Sequence, residues 1–272
     1  MIDALRYEWT RLRTLRSTYW LIGLALVFQI VMAGIFAWRF SVASGNVGEQ
    51  NSFDLIATIG ASSGIAPLFI GYILGLLGVF SMGHEYRHGM IRATLTAVPS
   101  RVHVLTAKII TTSVVVAGAA FACVGIAVIA MLVFGLGLPN VANIGGIAAG
   151  TAIFSVLFAL SGLAFSALVR NQTAAVAMLM LIPTVVEQII KAIVLGIKAA
   201  SDDPSATTGI VTILKYLPYD AGGQMYTRVS IGDMLQFFGV VPFGPLGGGI
   251  VLSVYVTALL GLSYWAFVRR DA

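Results

Sequence analysis

His84-Glu85-Tyr86-Arg87-His88 sets two imidazoles four residues apart with a glutamate directly after the first. On a continuous helix both rings would share a face, where they could hold zinc while the carboxylate served as general base. The surroundings give that chemistry little support. A third ligand is hard to find, because the remaining histidine is His103 and no Asp or Glu occurs between Glu85 and Glu187. Three and six residues after His88 the extended zinc-protease pattern needs Gly and His, and the chain has Ile91 and Thr94. Gly83 and Gly89 bracket the motif and weaken a rigid helix through it. A membrane zinc metalloprotease is therefore kept as an alternative, with no catalytic residue and no metal ligand assigned.

The same histidines open a charged interval, residues 84–108, held tightly between two uncharged apolar runs. Gly89 breaks the chain after the first run. Met90 to Ala97 can form a short helix with Ile91 and Leu95 on one side and Arg92 on another. Val98-Pro99 ends it, since the residue before proline avoids helical backbone. Arg101 and Lys108 lead into the next run. This spacing predicts a protruding docking element.

The elements that carry the interval are written in the composition. Charged residues make up 10% of the chain and the mean hydropathy is +0.95, against about 25% charged for soluble domains. Five uncharged runs have bilayer-spanning length: Tyr19 to Trp38, Ile65 to Met82, Ile109 to Phe134, Ile144 to Val169 and Ile250 to Val268. A sixth, Ala174 to Ile197, contains Glu187 and Lys191. About 20 apolar residues cross a hydrocarbon core of about 30 Å. Unbroken runs rather than alternating strands exclude a β-barrel. The expected fold is an all-α polytopic membrane protein with six transmembrane helices in one domain, 1–272.

Charge placement orients it. Arg6, Arg11, Arg13, Arg16, Arg87, Arg92, Arg101, Lys108, Arg170, Arg269 and Arg270 fall on one side of a six-span arrangement. Arg39, Lys191, Lys198, Lys215 and Arg228 fall on the other. The positive-inside rule then places both termini in the cytoplasm. The net charge of +5 speaks for anionic lipid headgroups, not nucleic acid. Residues 1–18 read as an amphipathic interfacial helix. Ile2, Leu5, Trp9 and Leu12 share its apolar face, and Arg6, Arg11, Arg13 and Arg16 snorkel around them. Ser41-Val42-Ala43 looks like a leader cleavage site, but the apolar run before it is too long and Arg39 follows that run. Cys123 lies inside the third run, so no internal disulfide is expected.

Residues 41–63 form an external loop, 135–143 a tight external turn and 170–172 a cytoplasmic hairpin. From 199 to 249 short external helices are expected before the last span: one near 207–217, a break at Leu217-Pro218-Tyr219-Asp220, and an apolar piece at 234–241. Gly71/Gly75 and Gly146/Gly150 permit close helix approach. Glu187 and Lys191, spaced i and i+4, suit an ion pair. They stand about 26 Å up the helix from Arg170, near the outer interface. With Pro183, which should loosen the helix one turn earlier, they are the candidate pathway or outer-gate residues. A phosphate-binding GxxxxGK[ST] loop is absent. A secondary transporter remains a further alternative, although such proteins usually need mid-membrane acidic residues. So does a non-transporting membrane partner, such as a sensor or immunity subunit.

Glu85-Tyr86-Arg87-His88-Gly89-Met90-Ile91-Arg92, followed by Leu95, Pro99, Arg101 and Lys108, resembles the segment after the second span in the membrane subunits of type-2 ATP-binding-cassette (ABC) exporters. The amphipathic N-terminus, Tyr216-Leu217-Pro218 and the terminal Arg269-Arg270-Asp271 fit the same family. The resemblance implies a permease subunit, itself no enzyme, in the plasma membrane of a prokaryote. It would pair with a second copy or a relative and dock separate ABC ATPase subunits that carry ATP and magnesium. Residues 85–108 would be the coupling segment, anchored by Glu85 and Arg87. The N-terminal helix would make a second contact. The cargo would be a hydrophobic or amphipathic drug, lipid or peptide, and the permease itself would need no cofactor.

Overall fold

The computed structural model describes residues 2–42, 48–61, 68–87, 89–91, 94, 96, 100–200, 208–227 and 241–269. Among them every regular element is helical. Of the expected coupling residues, His88, Arg92, Leu95 and Pro99 lie outside the described set, as does the apolar piece before Val241.

The chain begins with α1 (Ile2–Thr14) and, after Leu15, enters α2 (Arg16–Val42). A short helix, α3 (Glu49–Ala57), precedes α4 (Phe69–Arg87). Next come α5 (Arg101–Val133) and α6 (Val141–Val169). The following span is built from α7 (Gln172–Leu181), a π turn at Ile182–Val186 and α8 (Glu187–Ala199). Helices α9 (Thr208–Thr212) and α10 (Pro218–Gly223) lead to α11 (Gly244–Arg269). Five helical segments are long and apolar enough to cross a membrane: α2, α5, α6, α7 through α8, and α11. The remaining expected span, Ile65 to Met82, differs from its sequence boundaries. Helix α4 has 19 residues, starts at Phe69 rather than near Ile65 and carries polar His84 to Arg87 on its last turn.

Helix α6 is the axis of the bundle. Small residues let its neighbours approach to backbone contact, as the Gly-x-x-x-Gly spacing anticipates, although the closest contact is elsewhere. A Cβ on Gly78 of α4 would collide with the Ala159 carbonyl of α6, while Gly71 and Gly75 face Phe154 and Phe158. Helix α2 shows its own version of small-residue packing. Ala25, Gln29, Ala33 and Ala37 form its buried stripe at four-residue spacing, and Gln29 Nε2 donates to Ile56 O of α3 at 3.2 Å. The 41–63 loop thus holds a packed helix that its polar composition conceals: Phe53 and Ile56 are fully buried.

Helix ends follow local chemistry. Gly135 takes a positive φ of 68° beyond the end of α5, and Asn140 caps α6 by accepting from Ala142 N at 3.0 Å. The hairpin after α6 turns on Arg170 in left-handed backbone. Asn171 Oδ1 then accepts from Thr173 N and Ala174 N at 2.9 and 3.1 Å. Pro183 has no N–H to give Leu179, so the ladder widens into the π turn, where Glu187 N reaches back to Ile182 O.

Candidate functional site: a buried ionic cluster at the end of the bundle

Four charged side chains from three helices meet at one end of the bundle. Lys108, on the second turn of α5, is 0% exposed. Its ammonium donates to Glu8 Oε1 at 2.7 Å, Glu85 Oε1 at 2.5 Å and the Ser81 carbonyl at 3.2 Å. That accounts for all three of its N–H groups. Arg11 Nη1 donates to Glu85 Oε1 at 2.7 Å, to Glu8 Oε2 at 3.1 Å and to the same Ser81 carbonyl at 3.0 Å. Two carboxylates and two cations sum to zero, which is what a dry interior requires of buried ions. The cluster ties α1 to α4 and α5 through side chains, and it sits where helix α4 is about to end.

That end is well defined. Gly89 adopts φ 65°, its N–H donates to Tyr86 O at 3.4 Å and Met90 N donates to Glu85 O at 2.9 Å. This pair of bonds is the Schellman closure of a helix on glycine. Met90 and Arg87 are exposed, whereas Ile91 packs with Met82, Ala167, Phe267 and Tyr86 on the ends of α4, α6 and α11. Thr94 N donates to Met90 O at 3.0 Å, a helical bond within the expected 90–97 helix. Arg101 closes the far side of the interval. Its guanidinium donates to Phe267 O at 2.7 Å and Val268 O at 3.3 Å, occupying carbonyls at the end of α11. Arg170 lies over the Tyr86 ring at 5.8 Å.

Of the expected coupling residues the structure therefore gathers Glu85, Ile91, Arg101 and Lys108 at one end of the bundle with Gly89. Sequence reasoning missed Glu8. Its signal was present: an acid four residues from both Ala4 and Leu12, on the same stripe. Of the interfacial face assigned to α1, Ile2 and Trp9 stay on the outside, and Leu12 is the residue that does not. Ala4, Glu8 and Leu12 are buried, while Ile2 is 71% exposed and Trp9 is exposed. Arg11 is not a snorkelling residue but a member of the cluster. Arg6, Arg13 and Arg16 are exposed. In the His84-to-His88 motif, the glutamate is engaged by two cations, and the His84 ring packs edge-on against Phe80 at 5.0 Å. Among the described residues no group of three metal-ligating side chains assembles.

The outer candidates also change partners. Glu187 and Lys191 do not pair with each other in the contacts at this end. Glu187 accepts from Tyr219 N at 2.9 Å and Asp220 N at 3.0 Å, and Lys191 Nζ binds Asp220 Oδ1 at 2.5 Å. The i, i+4 spacing was outcompeted by two backbone donors at the start of α10.

A whole-chain sequence comparison decides the family. Residues 5–272 match the family described as ABC-2 family transporter protein. The chain belongs to the ABC-2 transporter family. As a member it is a multi-pass membrane subunit of an ABC transporter, a transport component rather than a catalytic one. Among curated proteins none matches the chain.

Proposed function

We propose that this ABC-2 permease is driven by separate cytoplasmic ATPase subunits that grip residues 84–108, and that it exports a hydrophobic or amphipathic compound. The observation that carries the reading is the neutral buried cluster of Glu8, Arg11, Glu85 and Lys108. A lever transmits force only if its base is stiffer than its tip. Here an exposed tip, Arg87 and Met90, rises from a base whose ions are held by six short polar contacts. Nucleotide-dependent binding at the tip would bias a two-state bundle through that base.

Helix α4 completes six spans: 19 residues rise about 28 Å, close to the hydrocarbon thickness of about 30 Å. With the cluster end cytoplasmic, both termini face the cytoplasm of a prokaryotic plasma membrane. Trp9 and Ile2 of α1 then meet lipid at the interface. A second permease, identical or related, supplies the other wall of the pathway, and Pro183, Glu187 and Lys191 belong to its outer end.

The test is reconstitution of the permease with the ATPase that co-purifies from its source membranes, assayed against a panel of fluorescent lipids and cationic dyes. Ile91→Pro, at the seat of the coupling segment, should leave ATP hydrolysis running while probe efflux falls at least tenfold. Efflux that is equal in wild type and Ile91→Pro contradicts the coupling role. Efflux driven by a proton gradient without ATP contradicts the whole reading.

A further inference from the structure

Among the described residues, the outer half of the α7–α8 span is built differently from the other spans. The π turn at Ile182–Val186 interrupts its helical ladder around buried Pro183. Five residues after the start of that turn, Glu187 is 3% exposed and gives both carboxylate oxygens to backbone N–H groups of α10, those of Tyr219 and Asp220. One turn further, Lys191 closes on the Asp220 side chain. Helix α10, by contrast, is fixed from the other side. A Cβ on Gly248 of α11 would collide with the Ala221 carbonyl, and one on Gly150 of α6 with the Met225 carbonyl. The Tyr219 ring packs edge-on against Phe158 at 5.3 Å and Tyr255 at 5.5 Å. Helix α8 is thus held on one flank. Its opposite face, with Ile189, Ile193 and Ile197, is exposed.

We propose that α8 is an arm hinged at residues 182–186 and clamped to α10 by Glu187 and the Lys191–Asp220 pair, and that its release opens the outer end of the pathway. The clamp and hinge stand on these contacts alone, whereas the word pathway rests on the permease reading. The chemistry suits an opening element. Lys191 and Asp220 side chains are 20% and 17% exposed, so water at the outer boundary can replace each partner when the arm departs, at small net cost. An apolar seam offers no such exchange. The Val194 contact with Val211, Leu214 and Leu217 is a small apolar patch that the arm must also leave.

Amide hydrogen exchange on the full chain in lipid nanodiscs tests the mechanics. Peptides covering 187–199 should exchange as a unit, faster than those of 172–181 below the hinge. Lys191→Glu should accelerate exchange in both 187–199 and 218–223 by about tenfold, and adding Asp220→Lys should restore protection. Glu187→Gln should accelerate exchange at Tyr219 and Asp220 while leaving α4 and α6 unchanged. If α7 and α8 exchange as one block, or if the charge swap restores nothing, the clamp is overturned. The gate is read separately, in the complex co-purified from source membranes and trapped with magnesium, ATP and vanadate. Selective deprotection of 187–199 is expected. Trapping that alters 84–108 but leaves 187–199 unchanged overturns the gate. Trapping that changes no region overturns the permease reading and the gate with it, while the clamp still stands or falls on the first measurement.

Discussion

Lys108 is enclosed completely, and each of its N–H groups ends on an oxygen from α1 or α4. Lys108→Met would leave Glu8 and Glu85 facing one remaining cation, Arg11. Removing one partner of a buried ionic set costs about 3–5 kcal/mol. Thermal unfolding in detergent should show a large loss for Lys108→Met and partial recovery when Glu8→Gln restores the charge balance. Equal stability of the single and double variants would mean that charge balance does not govern this site. Backbone contact gives a second residue-scale prediction. Gly78→Ala has no room beside the Ala159 carbonyl, whereas Gly118→Ala meets nothing within 4 Å. The first should abolish a monodisperse preparation; the second should be neutral or stabilising by up to ~1 kcal/mol. Glu85 and Lys108 each stood out in the sequence as charges at the edge of apolar runs. Their union with Glu8 did not, because the Lys108–Glu8 contact spans 100 positions and no local period encodes it. Likewise Lys191 was matched to Glu187 by helical spacing, although its partner sits 29 positions away.

Helix α1 is an element whose apolar residues misdirect. Their spacing places Ile2, Leu5, Trp9 and Leu12 on one lipid-facing stripe with Arg11 snorkelling beside it, and so leaves the buried face of Ala4, Glu8 and Leu12 unread. In a chain surrounded by lipid, Ile2 and Trp9 can remain outside, and the ionic face is the one needing burial. This element can be removed without leaving an unpaired charge. Deleting residues 2–14 takes away Glu8 and Arg11 together, so Glu85 and Lys108 remain as a neutral pair. The deletion should therefore be less destabilising than Lys108→Met, despite removing thirteen residues; unfolding temperatures of the two variants check the order. For α4, the polar motif continues the helix to Arg87 instead of following it, and Gly89 supplies the stop. The glycine was legible. The helix continuation was not, because His84 to Arg87 look like loop once the apolar run ends. Similarly, α3 could not be read from a Gly-, Ser- and Asn-rich stretch, since its buried face depends on α2 and α5 being adjacent.

At the scale of the molecule, hydropathy and the distribution of Lys and Arg carried most of the architecture. Alternating helix direction brings Arg11, Arg101, Lys108 and Arg170 to the same end, as the contacts Arg11–Glu85, Arg101–Phe267 and Arg170–Tyr86 require. Single cysteines in a Cys123→Ala background test the orientation. Asn51→Cys beyond α2 should react with a membrane-impermeant maleimide on intact cells, and Arg13→Cys only after permeabilisation. The reverse pattern would invert the topology. The account as a whole depends on what touches the exposed tip above the ionic base. A photo-crosslinking residue at Met90, 50% exposed, should capture a cytoplasmic subunit that an azido-ATP probe also labels. A crosslink to no nucleotide-binding subunit, with Met90 instead reached from outside the cell, would contradict it.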